Sequence, residues 1–273
     1  SSTVRVVGDN NWLAGNLSPS VTLSLEASTW SGYGRMYVGS DVENRGTLRL
    51  TTTSNDGNDQ NVYLNLQGHT LLNASTGTID VRAGAGDSRL FQYGNLRNEG
   101  RIAVEGGATL QVQPGSGSTF TQAGGEVSGS GSLLQSGGSF DFSGGSITGD
   151  VTLWGVSVSV GAGVTSSSTV RVVGDNNWLA GNLSHSVTLS LEASTWSGYG
   201  RMYVGSDVEN RGTLRLTTTS NDGNDQNVYL DLQGHTLLNA SAGTIDVRAG
   251  EGDWRYITGG SILNAGRISS DTD

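Results

Sequence analysis

The sequence predicts an all-β chain wound as a single-stranded parallel β-helix (a β-solenoid), and three observations predict it. Short alternating apolar runs recur along the chain, glycine punctuates them at near-regular intervals, and the first part of the sequence returns almost unchanged later on. The 273 residues include 43 Gly and only 2 Pro, with 34% apolar and 15% charged residues, which is too apolar for a disordered chain. No stretch keeps apolar residues at i, i+3, i+4 and i+7 without a Gly or a β-branched run breaking the pattern, so helices are not expected.

The elements follow in order. Val21-Thr22-Leu23-Ser24-Leu25 alternates with a period of two, which places Val21, Leu23 and Leu25 on one face. Gly46-Thr47-Leu48-Arg49-Leu50 repeats the pattern, as do Val62 to Leu66, Gly77-Thr78-Ile79-Asp80-Val81 and Gly100-Arg101-Ile102-Ala103-Val104. Thr109 to Val112, Gly125-Glu126-Val127 and Val156 to Val160 continue it. Each run is short and bounded by Gly, Asn, Asp or Ser, the residues of turns. Glycines 46, 77, 100 and 124 stand 31, 23 and 24 residues apart. Two or three strands in 23–31 residues make one rung, and rungs stack at roughly 4.8 Å. Corner glycines are expected to supply positive φ, and corner asparagines to tolerate it. A pair of β-sandwiches is the alternative. It lacks support because no two-residue Asn-Gly or Asp-Gly hairpin joins alternating strands, and Asp56-Gly57 sits in a long polar run.

The long repeat has an offset of 166 residues: Ser1 to Val7 returns as Ser167 to Val173. The first differences are Pro19/His185, Asn65/Asp231, Thr76/Ala242, Ala85/Glu251 and Ser88/Trp254. Beyond them the framework persists, with Asn98-Glu99-Gly100-Arg101-Ile102 answered by Asn264-Ala265-Gly266-Arg267-Ile268. This divides the chain into copy 1 (1–166) and an incomplete copy 2 (167–273) continuous with it, and the natural protein is expected to extend further. Duplicated, stackable units suit a structural or adhesive object better than an enzyme.

Composition bears on partners. The 15 basic residues are all Arg, the net charge is -10, and no basic run is present, so nucleic acid is not an expected partner. There is no Cys, which removes disulfides and thiolate metal sites. No apolar stretch approaches the ~20 residues of a membrane span.

Val62-Tyr63-Leu64-Asn65-Leu66-Gln67-Gly68-His69-Thr70-Leu71, with its twin from Val228 to Leu237, resembles the rungs of right-handed parallel β-helix proteins. Gly124 to Gly131 and Ser143 to Gly149 look like the Gly-Gly-x-apolar rungs of autotransporter passengers and large bacterial surface adhesins. The resemblance extends to pectin-lyase-like enzymes and phage tailspikes. It implies right-handed winding and an extracellular, cell-surface location, and speaks to fold more than to function.

Candidate sites are few. The aromatic segment Trp30, Tyr33, Arg35 and Tyr37, with Trp12, could stack on sugar rings and bond their hydroxyls; copy 2 repeats it as Trp178, Trp196, Tyr199, Arg201 and Tyr203. The polar runs holding Asn55, Asp56, Asn58 and Asp59, and again Asn221, Asp222, Asn224 and Asp225, offer the oxygen ligands of a calcium site, without EF-hand spacing or a terminal Glu. No other cofactor is expected. His69 and His235 follow a corner Gly and are read as turn residues, and His185 replaces Pro19. Thr51-Thr52-Thr53 occurs once per copy without Thr-x-Thr on successive rungs, a weak case for ice binding. The expected function is non-catalytic: a structural or adhesive segment of a repetitive extracellular surface protein. Its expected partners are glycans, other surface proteins, or further copies stacked end to end in a filament. A polysaccharide lyase or hydrolase is the alternative. Lys is absent, however, and Asp56 and Asp59 lack the apolar cover that would raise a carboxyl pKa.

Overall fold

In both repeats the alternation closes into a parallel β-helix. The structure, a computed structural model, describes residues 1–27, 32–52, 61–84, 88–164, 166–193, 198–218, 226–250 and 254–271. Among them every regular element is a strand, and the strands pair in parallel. No helix there is long and apolar enough to cross a membrane.

The chain packs as two compact units, residues 1–139 with 145–150, and residues 140–144 with 151–273. In the first, the chain visits three ladders in turn. One holds Ser2–Val7, Val21–Ala27, Thr47–Thr52, Thr78–Val81, Arg101–Val104, Glu126–Ser128 and Ser146–Ile147. The second holds Asn11–Leu13, Tyr33–Val38, Asn61–Asn65, Arg89–Gln92, Thr109–Gln113 and Ser132–Ser136. The third holds Val42–Asn44, Thr70–Asn73, Asn95–Asn98 and Thr119–Gln122. The second unit repeats the plan. Ser168–Val173, Val187–Ala193, Thr213–Thr218, Thr244–Val247 and Arg267–Ser270 form one ladder. Ser157–Val160, Asn177–Leu179, Tyr199–Val204, Asn227–Asp231 and Arg255–Thr258 form another, and Val208–Asn210, Thr236–Asn239 and Ser261–Asn264 the third.

Register fixes rung length. Thr22 faces Thr47, 25 residues on, and Thr47 faces Thr78, 31 on, within the expected range. Several rungs are shorter: Ser2 faces Val21, 19 on, Glu126 faces Ser146, 20 on, and Ser168 faces Val187, 19 on. Strands run from two residues (Ser146–Ile147) to seven (Val21–Ala27), so strands and connections both carry the variation.

Because paired strands are in register, like side chains stack. Leu23, Leu48, Ile79, Ile102, Val127 and Ile147 form one inward column, and all are buried. Val42, Leu71, Leu96 and Phe120 form another on the third ladder. Burying one such side chain stabilises the fold by roughly 1.5–3 kcal/mol.

The glycines that open the rungs, Gly46, Gly77 and Gly100, have no positive φ and serve close packing. A Cβ on Gly77 would overlap the Asn44 carbonyl oxygen, and one on Gly100 would overlap the carbonyls of Ala74 and Gly77. These glycines are required by close approach of one rung's backbone to the next. Positive φ occurs instead at Gly68 (84°) and Gly125 (57°), and at Asn10 and Gln67 among non-glycines.

Beside these corners runs a buried amide ladder. The Asn44 Nδ2 donates to Asn73 Oδ1 at 2.8 Å, Asn73 Nδ2 to Asn98 Oδ1 at 2.7 Å, and Asn98 Nδ2 to Gln122 Oε1 at 2.8 Å. In the second unit Asn210, Asn239 and Asn264 repeat it at 2.8 and 2.7 Å. Each buried amide thereby satisfies its neighbour's hydrogen-bonding group.

Candidate functional site

The outward positions of the second ladder in unit 1 carry the predicted aromatic residues. In Tyr33–Val38, Gly34, Met36 and Val38 are buried, so Tyr33, Arg35 and Tyr37 point away from the core. A Cβ on Gly34 would overlap the Glu26 carbonyl oxygen, so only glycine lets this strand approach Val21–Ala27. Register sets Trp12 opposite Tyr37, with ring centroids 5.3 Å apart. Arg35 stands opposite Tyr63, its guanidinium 5.0 Å from that ring's centroid and 5.9 Å from that of Tyr33. Its Nη1 donates to the Tyr37 hydroxyl at 3.4 Å, and Asp9 lies 3.9 Å from Nε. The hydrogen bond to Tyr37 holds the Arg35 guanidinium above its ordinary pKa, against the opposing effect of burial.

Unit 2 builds the same arrangement. Trp178 and Tyr203 lie 5.0 Å apart, and the Arg201 guanidinium sits 5.0 Å over Tyr229, 5.8 Å over Tyr199 and 5.9 Å over Tyr203. Arg201 Nη1 donates to the Tyr203 hydroxyl at 3.3 Å, and the Tyr199 hydroxyl donates to Asp175 at 3.5 Å. Here the surface extends by one rung: Tyr256 stacks on Tyr229 at 4.9 Å and 11°, and Trp254 lies 6.1 Å from Tyr256. Copy 1 has Ser88 and Leu90 at the positions of Trp254 and Tyr256. Trp12 is 65% exposed, Trp178 43% and Trp254 59%, so apolar ring surface remains open to a ligand.

The structure therefore gathers Trp12, Tyr33, Arg35 and Tyr37, and likewise Trp178, Tyr199, Arg201 and Tyr203. Trp30 and Trp196 lie outside the described residues, as do all eight calcium candidates, Asn55, Asp56, Asn58, Asp59, Asn221, Asp222, Asn224 and Asp225. Among the described residues no group of three or more His, Asp or Glu side chains is placed to hold a metal ion. Sequence reading missed Tyr63, Tyr229, Trp254 and Tyr256. The alternation in Val62-Tyr63-Leu64 already turns Tyr63 outward, and the Ser88/Trp254 difference marked the rung where the copies part. His69 Nδ1 lies 3.7 Å from Asp41, and His235 Nδ1 the same distance from Asp207. Both follow the positive-φ turns at Gly68 and Gly234.

What the arrangement can do is bind. Indole and phenol rings with adjacent guanidinium and carboxylate groups offer stacking surface and hydrogen bonds together. Compared with known proteins, the chain matches no family model, no curated protein and no solved structure.

Proposed function

We propose that this chain is a non-catalytic structural and adhesive segment of a large repetitive extracellular surface protein, of the autotransporter-passenger or large-adhesin type, whose aromatic faces hold glycan. The observation that carries the reading is the recurrence of one Trp–Tyr–Arg–Tyr arrangement, with matching distances, in both units. Two equivalent weak sites on one chain favour a polymeric ligand, because tethering raises apparent affinity by 10²–10⁴ without new contacts, on the order seen for linked modules. A sugar polymer presents the repeated ring faces and hydroxyls that such sites would engage.

The test is affinity electrophoresis of the chain in gels containing neutral polysaccharides (xylan, galactomannan, soluble β-glucan), followed by calorimetry with the matching oligosaccharide. Trp178→Ala is expected to weaken binding about ten-fold, the equivalent of ~1.4 kcal/mol. Trp12→Ala with Trp178→Ala together should abolish retardation. Retardation unchanged in the double variant would sink the aromatic reading. Release of new reducing ends or unsaturated products would overturn the non-catalytic one and favour a polysaccharide lyase or hydrolase.

A further inference from the structure

A second surface of unit 1 carries different chemistry. On the ladder holding Thr47–Thr52, Thr78–Val81 and Arg101–Val104, register aligns Ser24, Arg49, Asp80, Ala103 and Ser128 in one outward column. Asp80 is buried and accepts hydrogen bonds from the Nε of both Arg49 (2.9 Å) and Arg82 (2.8 Å). Both guanidiniums are held through their inner nitrogen, not through the two-pronged fork that would occupy their outer ones. Among the described residues the Arg49 Nη groups make no hydrogen bond, and Arg82 Nη1 has only the Glu105 carboxylate, 3.9 Å away. Glu105 is itself engaged, its Oε2 accepting the Ala83 N–H at 3.0 Å. Because Ala103 is small, the next rung leaves a cleft of about 400 Å³ beside these nitrogens. Arg101 lines it from the far side, its Nε on the Ser128 hydroxyl at 3.3 Å. Three guanidiniums thus line the cleft against the carboxylates of Asp80 and Glu105, and Glu126 lies 3.8 Å from Arg101 Nε, so the charges balance while the outer nitrogens of Arg49 make no hydrogen bond among the described residues.

The geometry points to an oxyanion-binding site in this cleft, one that takes a sulfate or carboxylate group between the outer nitrogens of Arg49, Arg82 and Arg101. Guanidinium N–H groups fixed in advance lose little side-chain entropy when they close on such an anion. The second copy differs in one contact. There Asp246 holds Arg215 at 3.0 Å and Arg248 at 2.8 Å through Nε, as in unit 1. But Arg248 Nη1 donates to Asp271, the counterpart of Glu105, at 3.3 Å. Arg248 Nη1 is thereby occupied, whereas Arg82 Nη1 stands 3.9 Å from Glu105.

Calorimetric titration of the whole chain tests this with three probes: inorganic sulfate, a sulfated oligosaccharide and a uronate oligosaccharide, each in dilute chloride buffer. One saturable site per chain is expected. Arg82→Gln should weaken it at least ten-fold, and Arg248→Gln should leave it unchanged. Ala103→Glu, which places a carboxylate in the cleft opposite Asp80, should reproduce the loss, with circular dichroism checking that the fold is retained. Binding of sulfate and the sulfated sugar alone assigns the sulfate group, and binding of the uronate alone assigns the carboxylate. No saturable binding of any probe, two equal sites, or equal loss in Arg82→Gln and Arg248→Gln would overturn the proposal.

Discussion

Asp246 concentrates three donors on one carboxylate: Arg248 Nε at 2.8 Å, Arg215 Nε at 3.0 Å and the Ser269 hydroxyl at 3.2 Å. Burial alone would raise its pKa, but the hydrogen bonds from Arg248 and Arg215 outweigh it, and the carboxyl titrates below its ordinary range. A carboxylate with a depressed folded-state pKa stabilises the fold fully above its unfolded value, near ~3.9, and loses that contribution as pH falls below it. The melting temperature of the native chain should therefore drop more steeply between about pH 4 and pH 2 than that of Asp246→Asn. The variant should also melt lower at pH 6. Circular dichroism melts across that range decide it, and parallel curves would show that Asp246 contributes nothing through its charge. At this scale the sequence was readable in direction but not in reason. The alternation placed Arg49 and Asp80 outward, yet nothing in one strand reveals that Asp80 bridges two arginines, because Arg49 lies a rung away. Arg89 breaks the rule outright. It is buried in the inward register between Val62 and Leu110, a position where alternation predicts an apolar residue. Its counterpart Arg255 is held below its ordinary pKa by burial.

The amide ladder is where an element-scale prediction belongs. Replacing Asn73 by Ala leaves the Asn44 Nδ2 and the Asn98 Oδ1 without each other's chain of bonds, both in a fully buried column. With about 1–3 kcal/mol for each orphaned group, Asn73→Ala should destabilise unit 1 by ~2–5 kcal/mol. Thr78→Ala, on the outward face one strand later, should change stability by less than about 0.5 kcal/mol. Urea denaturation compares the two; equal effects would mean that the ladder is dispensable. Strand positions were legible because alternation is local. Stacking was not, because it needs register. Thr3, Thr22, Thr47 and Thr78 form an outward column that no reading of Thr51-Thr52-Thr53 suggests. The neighbouring column of Arg5, Ser24, Arg49 and Asp80 is charged, which denies that face the second Thr row an ice-binding surface requires.

Across the whole molecule, the nested repeats made the fold readable, since both the rung and its duplicate are written in the sequence. The aromatic face was half readable: Trp12, Arg35 and Tyr37 stood out as a cluster, whereas Tyr63 and Tyr256 join only through pairing of strands from different rungs. The same parallel pairing has a further consequence for how the chain reaches its native state. Every strand of copy 1 up to residue 84 has a near-identical double 166 residues away, offering the same edge to the same neighbour. The native partner of Thr22 is only 25 residues off, at Thr47, while Thr213 offers the same sequence 191 residues from Thr22. Loop-closure entropy separates the two choices by only about 1.8 kcal/mol, or (3/2)RT times the logarithm of 191/25. Refolding from denaturant should therefore show a slow phase, from chains whose copies have exchanged strands and must unpair before they can complete. Substituting several outward residues of copy 2 so that its strands no longer match copy 1 should shrink that phase in stopped-flow fluorescence without lowering stability, and an unchanged amplitude would refute strand exchange. Sequence identity between the copies, which multiplies binding surfaces, is in this light a kinetic hazard held in check by proximity along the chain.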